Sequence, residues 1–524
     1  VAARRLIAAL ALVFAAAAAP AQQAVATAPA QQAAKNYAEH CASCHGAERL
    51  GGTGPALLPE NLERLRRPAA AEVIAKGRIA TQMQGFGDKL DAAAVQELVE
   101  FIYARPAVAP RWELDEIRAS HIVHPAGKPD SPRPVYKADP MKLFVVVETG
   151  DHHATILDGE RFEPLVRFAT RYALHGGPKF SPDGRYVYFG SRDGWVQKYD
   201  LWNLRMVAEV RAGLNTRNIA TSSDGRFVAV ANYLPHTLVI LDSDLQPVKL
   251  MPVRDREGKA SSRVSAVYDA APRRSFVAAL KDVREVWEIS YDPKAPDIPA
   301  GLIHDFRFRE GAFVPGFLNP RRTVLEDFLD DFFFTPDYSE LLGASREGAK
   351  AQVVHLDVRR RIASIELPGM PHLGSGISWE RDGRRLMATP NLREGLVTVV
   401  DVKDWKLVKQ IPTRGPGFFL RSHENTPYAW VDAFSSKHKD TMQVIDKRTL
   451  EVVKELRPAP GRTTAHVEFS ADGRHALVSV WEMDGELLVY DAASFELVKR
   501  LPMKKPSGKY NVHNKITRSD GTSH

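Results

Sequence analysis

Cysteine is nearly absent from this 524-residue chain. The only two, Cys41 and Cys44, exclude a disulfide framework and any four-cysteine metal site. Charge of one sign is also scarce. Lys+Arg 71 against Asp+Glu 64 gives +7, not gathered in a tail, which disfavours a nucleic-acid role. The mean hydropathy of −0.27 excludes a polytopic membrane protein. What remains is ordinary globular composition, 44% hydrophobic with Gly 35 and Pro 35, suited to a fold with large cores and many turns.

Residues 1–21 read VAARRLIAALALVFAAAAAPA. Arg4 and Arg5 precede an apolar run, and small residues follow to Ala21, the order of a secretory signal peptide. A run this short and Ala-rich argues against a membrane anchor. The initial Val fits a bacterial non-ATG start. The expectation is export to a periplasm, with no membrane span after processing. Residues 22–34 read as a low-complexity linker, 35–106 as a helical domain, 107–140 as a connector and 141–524 as an all-β domain. In the helical part Val95, Leu98, Val99 and Ile102 form one stripe, ended by Pro106.

From Met141 short alternating strands follow one another. One signal recurs: SPDGRYVYFGS at Ser181, SSDGRFVAVAN at Ser222, ERDGRRLMATP at Glu380 and SADGRHALVSV at Ser470. Each puts an Asp-Gly turn before a strand. Degenerate copies start at Thr335 and His423. The first two copies are 41 residues apart, one propeller blade, and residues 141–516 hold about eight such units. A small all-α domain followed by an eight-bladed β-propeller is the expected fold, with a stacked sandwich second. The WD dipeptide of scaffold propellers is absent.

Cys41-Ala42-Ser43-Cys44-His45 is C-x-x-C-H, the c-type haem attachment pattern. Two thiols add to the two vinyl groups and the adjacent His places its imidazole on the iron. A redox C-x-x-C rarely has the following His, and a zinc site would need ligands this chain lacks. Residues 35–106 resemble a class I cytochrome c. A Gly-Thr-Gly-Pro turn covers Gly52 to Pro55, and Met83 lies 38 residues after His45, a candidate sixth ligand. His121 and His124 are the alternatives.

The segment RYALHGGPKFSPDGRYVYFGSRDGWVQKYDLW and the ending FSADGRHALVSVW…PSGKYNVHN resemble the propeller of cytochrome cd1 nitrite reductases. That resemblance implies a tetrapyrrole, haem d1, in the propeller. His175 falls at the proximal ligand position and His372 at one of two distal histidines. The second distal position reads Asp330 (or Asp331), which sets a carboxylate against an anionic substrate and argues against nitrite reduction.

The pattern is most similar to the dihydro-haem d1 dehydrogenase branch of that family. It implies removal of two hydrogens from a propionate of dihydro-haem d1, giving the acrylate of haem d1, with electrons passing to a covalent haem c. His372 or Asp330 would be the base. His175 and His423 compete as axial ligand. Arg192, Arg217, Arg263 and Lys281 would meet the carboxylates, and Trp481 and Tyr510 the macrocycle face. His152, His153, His236, His304 and His466 read as solvated loop residues. Expected partners are the tetrapyrrole, a nitrite reductase or haem d1 biosynthesis protein met transiently, and a periplasmic electron acceptor. A cytochrome cd1-type nitrite reductase and a non-enzymatic haem d1 carrier or insertion protein are the alternatives.

Overall fold

The computed structural model describes residues 28–63, 65–78, 83–125, 130–305, 310–344, 350–367 and 369–517. The leader expected over 1–21 lies outside these residues. Helix α1 (Ala28–His40) starts inside the segment read as a linker, so the helical domain begins earlier than 35. The short α2 (Ala42–His45) carries Cys44 and His45. After α3 (Pro59–Leu62) and α4 (Arg67–Lys76) comes α5 (Ala92–Tyr103), capped by Asp91, whose carboxylate accepts from Ala94 N. Its buried residues are Val95, Leu98, Val99 and Ile102, the stripe read from the spacing. They pack with Tyr37, Cys41, Leu62, Ile74 and Phe86 into one core.

The connector is not a free tether. Helix α6 (Leu114–Ala119) and the strand Ile122–Val123 lie on the propeller, the strand pairing with Arg205–Arg211. Eight sheets of four strands then form the ring, one of them widened by this extra strand, and a hairpin stands beside the fourth. The inner strands of blades 2 to 8 are Lys179–Phe180, Asn215–Thr221, Val264–Ala270, Asp331–Phe334, Ile377–Arg381, Leu420–Ser422 and Thr464–Phe469. Blade 1 closes the ring: the late strand Pro506–Asn511 pairs with Phe144–Glu148. The turn α7 (Val512–Thr517) follows.

The recurring Asp-Gly signal is a turn between a blade's first and second strands. Ser222 Oγ binds Asp224 at 2.7 Å and accepts from Phe227 N at 3.0 Å. Ser470 repeats this with Asp472 and His475, and Thr335 with Asp337 and Glu340. The next residue takes a left-handed backbone, φ 73° at Gly225 and Gly473, which favours glycine, though Tyr338 adopts it at 57°. The copy at Glu380 is a tighter hairpin, with Asp382 and Gly383 both at positive φ. These turns mark one mouth of the ring. Crossings between blades and the loops from second to third strands mark the other, where the helical domain sits. Among the described residues no helix is long and apolar enough to cross a membrane.

Candidate functional site

His45 is built as an iron ligand. Its imidazole is buried, and Nδ1 donates to the Pro55 carbonyl at 2.8 Å, which leaves the Nε2 lone pair for a metal. Burial lowers its pKa, favouring the neutral ligand form. A Cβ on Gly54 would lie 2.8 Å from the ring, so the Gly-Thr-Gly-Pro turn is shaped against the imidazole. Cys41 and Cys44 are both free thiols. Beside them, Leu57, Leu62, Ile74, Phe86, Leu98 and Ile102 line the wall, and Met83 joins it. Two thiols, a neutral imidazole and an apolar wall fit a covalent haem c. His121 binds the Asp244 carbonyl of blade 3 and His124 binds Glu209 of blade 2. Neither borders this space, which leaves Met83 as the sixth-ligand candidate.

The same cavity, about 1740 Å³, runs on without a wall to the propeller mouth. There it is bordered by His175, Arg192, Arg263, Lys281, Asp330 and Trp481. His175 Nδ1 donates to the Arg217 carbonyl at 2.7 Å, so Nε2 is the ring nitrogen that carries the lone pair. That atom receives Arg192 Nη2 at 2.9 Å and Arg217 Nη1 at 2.8 Å. Arg263 is paired with Asp282 at 2.6 Å and Lys281 with Asp330. Trp481 leans on Phe434, with ring centroids 4.7 Å apart.

His372 does not border this cavity; it stands further in, towards the ring axis. Its Nδ1 donates to the Phe418 carbonyl at 2.6 Å, and its ring lies 4.4 Å from that of Phe418. Burial lowers its pKa, while the Asp331 charge opposes the shift. Asp331 accepts from the Tyr268 hydroxyl at 2.8 Å and from Gly374 N at 2.7 Å. The carboxylate acting on His372 is therefore Asp331, whereas Asp330 points to Lys281. Arg217 connects the two levels, touching His175 and lowering the His372 pKa through its charge.

His423 is a correction. It follows an inner strand, in the turn from the first to the second strand of blade 7, at the mouth opposite the cavity. Its Nδ1 accepts from Asn425 N, and a Cβ on Gly473 would lie 2.5 Å from that atom. It cannot face a macrocycle held at His175. Tyr510 does not border the cavity; its ring lies 2.9 Å from where a Cβ on Gly177 would stand and 5.3 Å from the ring of His466. His466 is not a loop residue but fully buried in the inner strand of blade 8. His236 binds Ser261, and the side chain of His304 lies outside the described residues.

Sequence reasoning missed the lining of the domain boundary. His152 and His153 border the cavity, with His152 4.9 Å from the Tyr172 ring. Tyr172 accepts from Arg78 of the helical domain at 3.0 Å. The interface also holds Asp193, which accepts from Ala56 N at 3.1 Å and pairs with Arg211 at 3.2 Å. Burial pushes Asp193 up to about 6 despite Arg211. The only available signal was positional: these residues occupy second-to-third-strand loops or crossings between blades.

Comparison with known proteins agrees with this geometry. The profile of the cytochrome D1 heme domain matches residues 138–309 and 316–515. That of the cbb3-type cytochrome c oxidase subunit III matches residues 28–102. A dihydro-heme d1 dehydrogenase of Pseudomonas aeruginosa is 57% identical over 490 residues, covering 93% of this chain and 95% of its own length. Protein NirF of the same species is 31% identical over 71% of this chain and 91% of its own. A solved structure, dihydro-heme d1 dehydrogenase NirN in complex with DHE, superimposes with a TM-score of 0.86 at 56% identity, covering 93% of this chain and all of that one.

Proposed function

The chain belongs to the cytochrome d1 haem domain family, and on that premise we propose that it is an oxidoreductase, a dihydro-haem d1 dehydrogenase. Its substrate is dihydro-haem d1 and its reaction converts one propionate side chain to an acrylate, the last step of haem d1 synthesis. The observation that carries this reading is the single cavity shared by Cys41, Cys44 and His45 on one side and His175, Arg192, Arg263 and Lys281 on the other.

A –CH2–CH2– unit that becomes –CH=CH– gives up two protons and two electrons. Cys41, Cys44 and His45 would hold a haem c, with Met83 as the candidate further ligand, and it would take the two electrons one at a time, passing each on to an external acceptor. His175 Nε2 would hold the substrate iron, and Arg192 and Arg217, which now lie on that ring, would be left to meet the ring carboxylates. His372 is the base: with Nδ1–H fixed on the Phe418 carbonyl, its neutral Nε2 takes a proton from the side-chain carbon. Asp331 stabilises the imidazolium that results. Asp330, neutralised by Lys281, is the weaker base of the two. The half-buried Asp331 beside His372 also disfavours an anionic substrate such as nitrite.

The protein acts in the periplasm, hands its product to a nitrite reductase or another haem d1 biosynthesis protein, and passes electrons to a periplasmic acceptor. Mixing the oxidised, haem c-loaded chain with dihydro-haem d1 tests the proposal. Reduction of haem c with formation of haem d1 is expected; tetrapyrrole binding without haem c reduction would make the chain a carrier instead.

A further inference from the structure

The propeller reaches across the domain boundary to the peptide group that holds His45. Asp193 sits in the turn between the second and third strands of blade 2. It is 4% exposed, and its carboxylate accepts from Ala56 N at 3.1 Å. The other end of that same peptide group is the Pro55 carbonyl, which accepts from His45 Nδ1 at 2.8 Å. A carboxylate, one peptide group and one imidazole are thus joined in file. We propose that Asp193 is a positioning residue for the haem c site: through the Pro55–Ala56 peptide it sets the strength of the hydrogen bond that His45 donates, and with it the reduction potential of the iron that His45 would bind.

Amide resonance couples the two ends of a peptide group. An anion on the N–H draws electron density onto the carbonyl oxygen and makes it the stronger acceptor, the more so in a buried setting of low dielectric. A stronger acceptor gives the imidazole a more basic Nε2. A more basic ligand favours ferric over ferrous iron, so the potential falls. Arg211 holds the carboxylate in place. Its Nη2 lies 3.2 Å from Asp193 Oδ1, and its Nε donates to the Asp193 carbonyl at 2.9 Å. Gly51 leaves the room for this, since a Cβ there would stand 2.8 Å from Arg211 Nη2 and 2.9 Å from Ala56 N. Docking of the helical domain does not hang on the carboxylate. Asn61 donates to the Leu214 carbonyl at 2.7 Å, Asn215 donates to the Glu60 carbonyl at 3.2 Å, and Ala56, Leu58 and Leu214 share a small core. A docking anchor would need only a neutral acceptor facing Ala56. A buried charge, costly to desolvate, is the feature that docking leaves unexplained.

The inference rests on Cys41, Cys44 and His45 holding a haem c, and not on the dehydrogenase reaction. The test uses the haem c-loaded full chain without tetrapyrrole, at a pH above the Asp193 value of about 6, where the carboxylate is ionised. Asp193→Asn keeps an acceptor for Ala56 N and removes the charge. A spectroelectrochemical titration should show the reduction equilibrium displaced about tenfold towards ferrous haem, about 59 mV for one electron. With isotope-labelled histidine, the His45 Nδ1–H resonance of the reduced chain should move upfield as its hydrogen bond weakens. Asp193→Ser is the second variant should the first not fold, with the same two shifts expected. Asn61→Ala, which loosens docking and leaves the carboxylate in place, should move neither. An unchanged potential in the Asp193 variants overturns the inference. So does a shifted potential with an unmoved Nδ1–H resonance, which would make Asp193 a charge acting through space, and so does the same response from Asn61→Ala. A wild-type chain without haem c would instead overturn the haem c reading, and this inference with it.

Discussion

The two ends of the cavity hold their ligands by opposite physics. At the helical end the contacts are thiols, a neutral imidazole and apolar walls. At the propeller end they are charges already matched with charges: Arg263 with Asp282, Lys281 with Asp330. At the first end two free thiols stand ready to close covalent bonds on the proposed haem c, which would make occupancy there permanent. At the second end a ligand must displace existing partners, and much of what it gains is offset. The difference is that expected between a resident electron acceptor and a substrate that must leave.

The comparison breaks most completely at the helical end. Cys41→Ser with Cys44→Ser should abolish haem that survives denaturing electrophoresis, while tetrapyrrole binding to the propeller persists; loss of both would mean that the ends are not independent. Next in size is His372→Ala, for which the rate of haem c reduction by dihydro-haem d1 should fall about 10²–10⁴-fold, with optical titration showing little change in affinity. A burial-depressed histidine is neutral at and below the ordinary value of 6.5. The wild-type rate should therefore stay flat as pH drops through 6.5 and decline only lower, at the depressed pKa. A decline centred at 6.5 would move the base elsewhere. Arg217→Ala should act the other way, weakening binding about tenfold, some 1.4 kcal/mol, with the saturated rate preserved.

The helical end was legible because its chemistry is local. The C-x-x-C-H run, the stripe Val95, Leu98, Val99 and Ile102, and the turn at Gly52–Pro55 each lie within a dozen residues. The blades were legible for the same reason, since every Asp-Gly turn is a local hydrogen-bonding unit. The propeller end depends on residues tens to hundreds of positions apart, which no local pattern encodes. Closure by Pro506–Asn511 beside Phe144–Glu148 and the pairing of Lys281 with Asp330 are of this kind. His423 was misplaced although the sign was present. HENTPYAWVDA is a degenerate copy of the Asp-Gly turns, and such turns lie at the mouth away from the cavity. Asp331 rather than Asp330 serves His372 because the inner strand of blade 5 begins at Asp331, and its successive side chains alternate in direction.

The smallest expected effect sharpens the comparison most, because it runs against intuition. Asp282 accepts from Arg263 through its guanidinium and its backbone N–H, and these contacts hold its carboxyl below the usual carboxylate range despite burial. Asp282→Asn keeps the shape and the backbone contact but removes the negative charge. The Arg263 guanidinium, 27% exposed at the cavity edge, is then free to pair with a substrate carboxylate. Removing an acidic residue from a site for an anionic ligand should tighten binding by a few-fold and slow product release, with the gain shrinking as salt is added. If affinity fell instead, Asp282 would be holding Arg263 in the position where the ligand meets it. The propeller end would then be pre-organised like the helical end rather than poised for exchange.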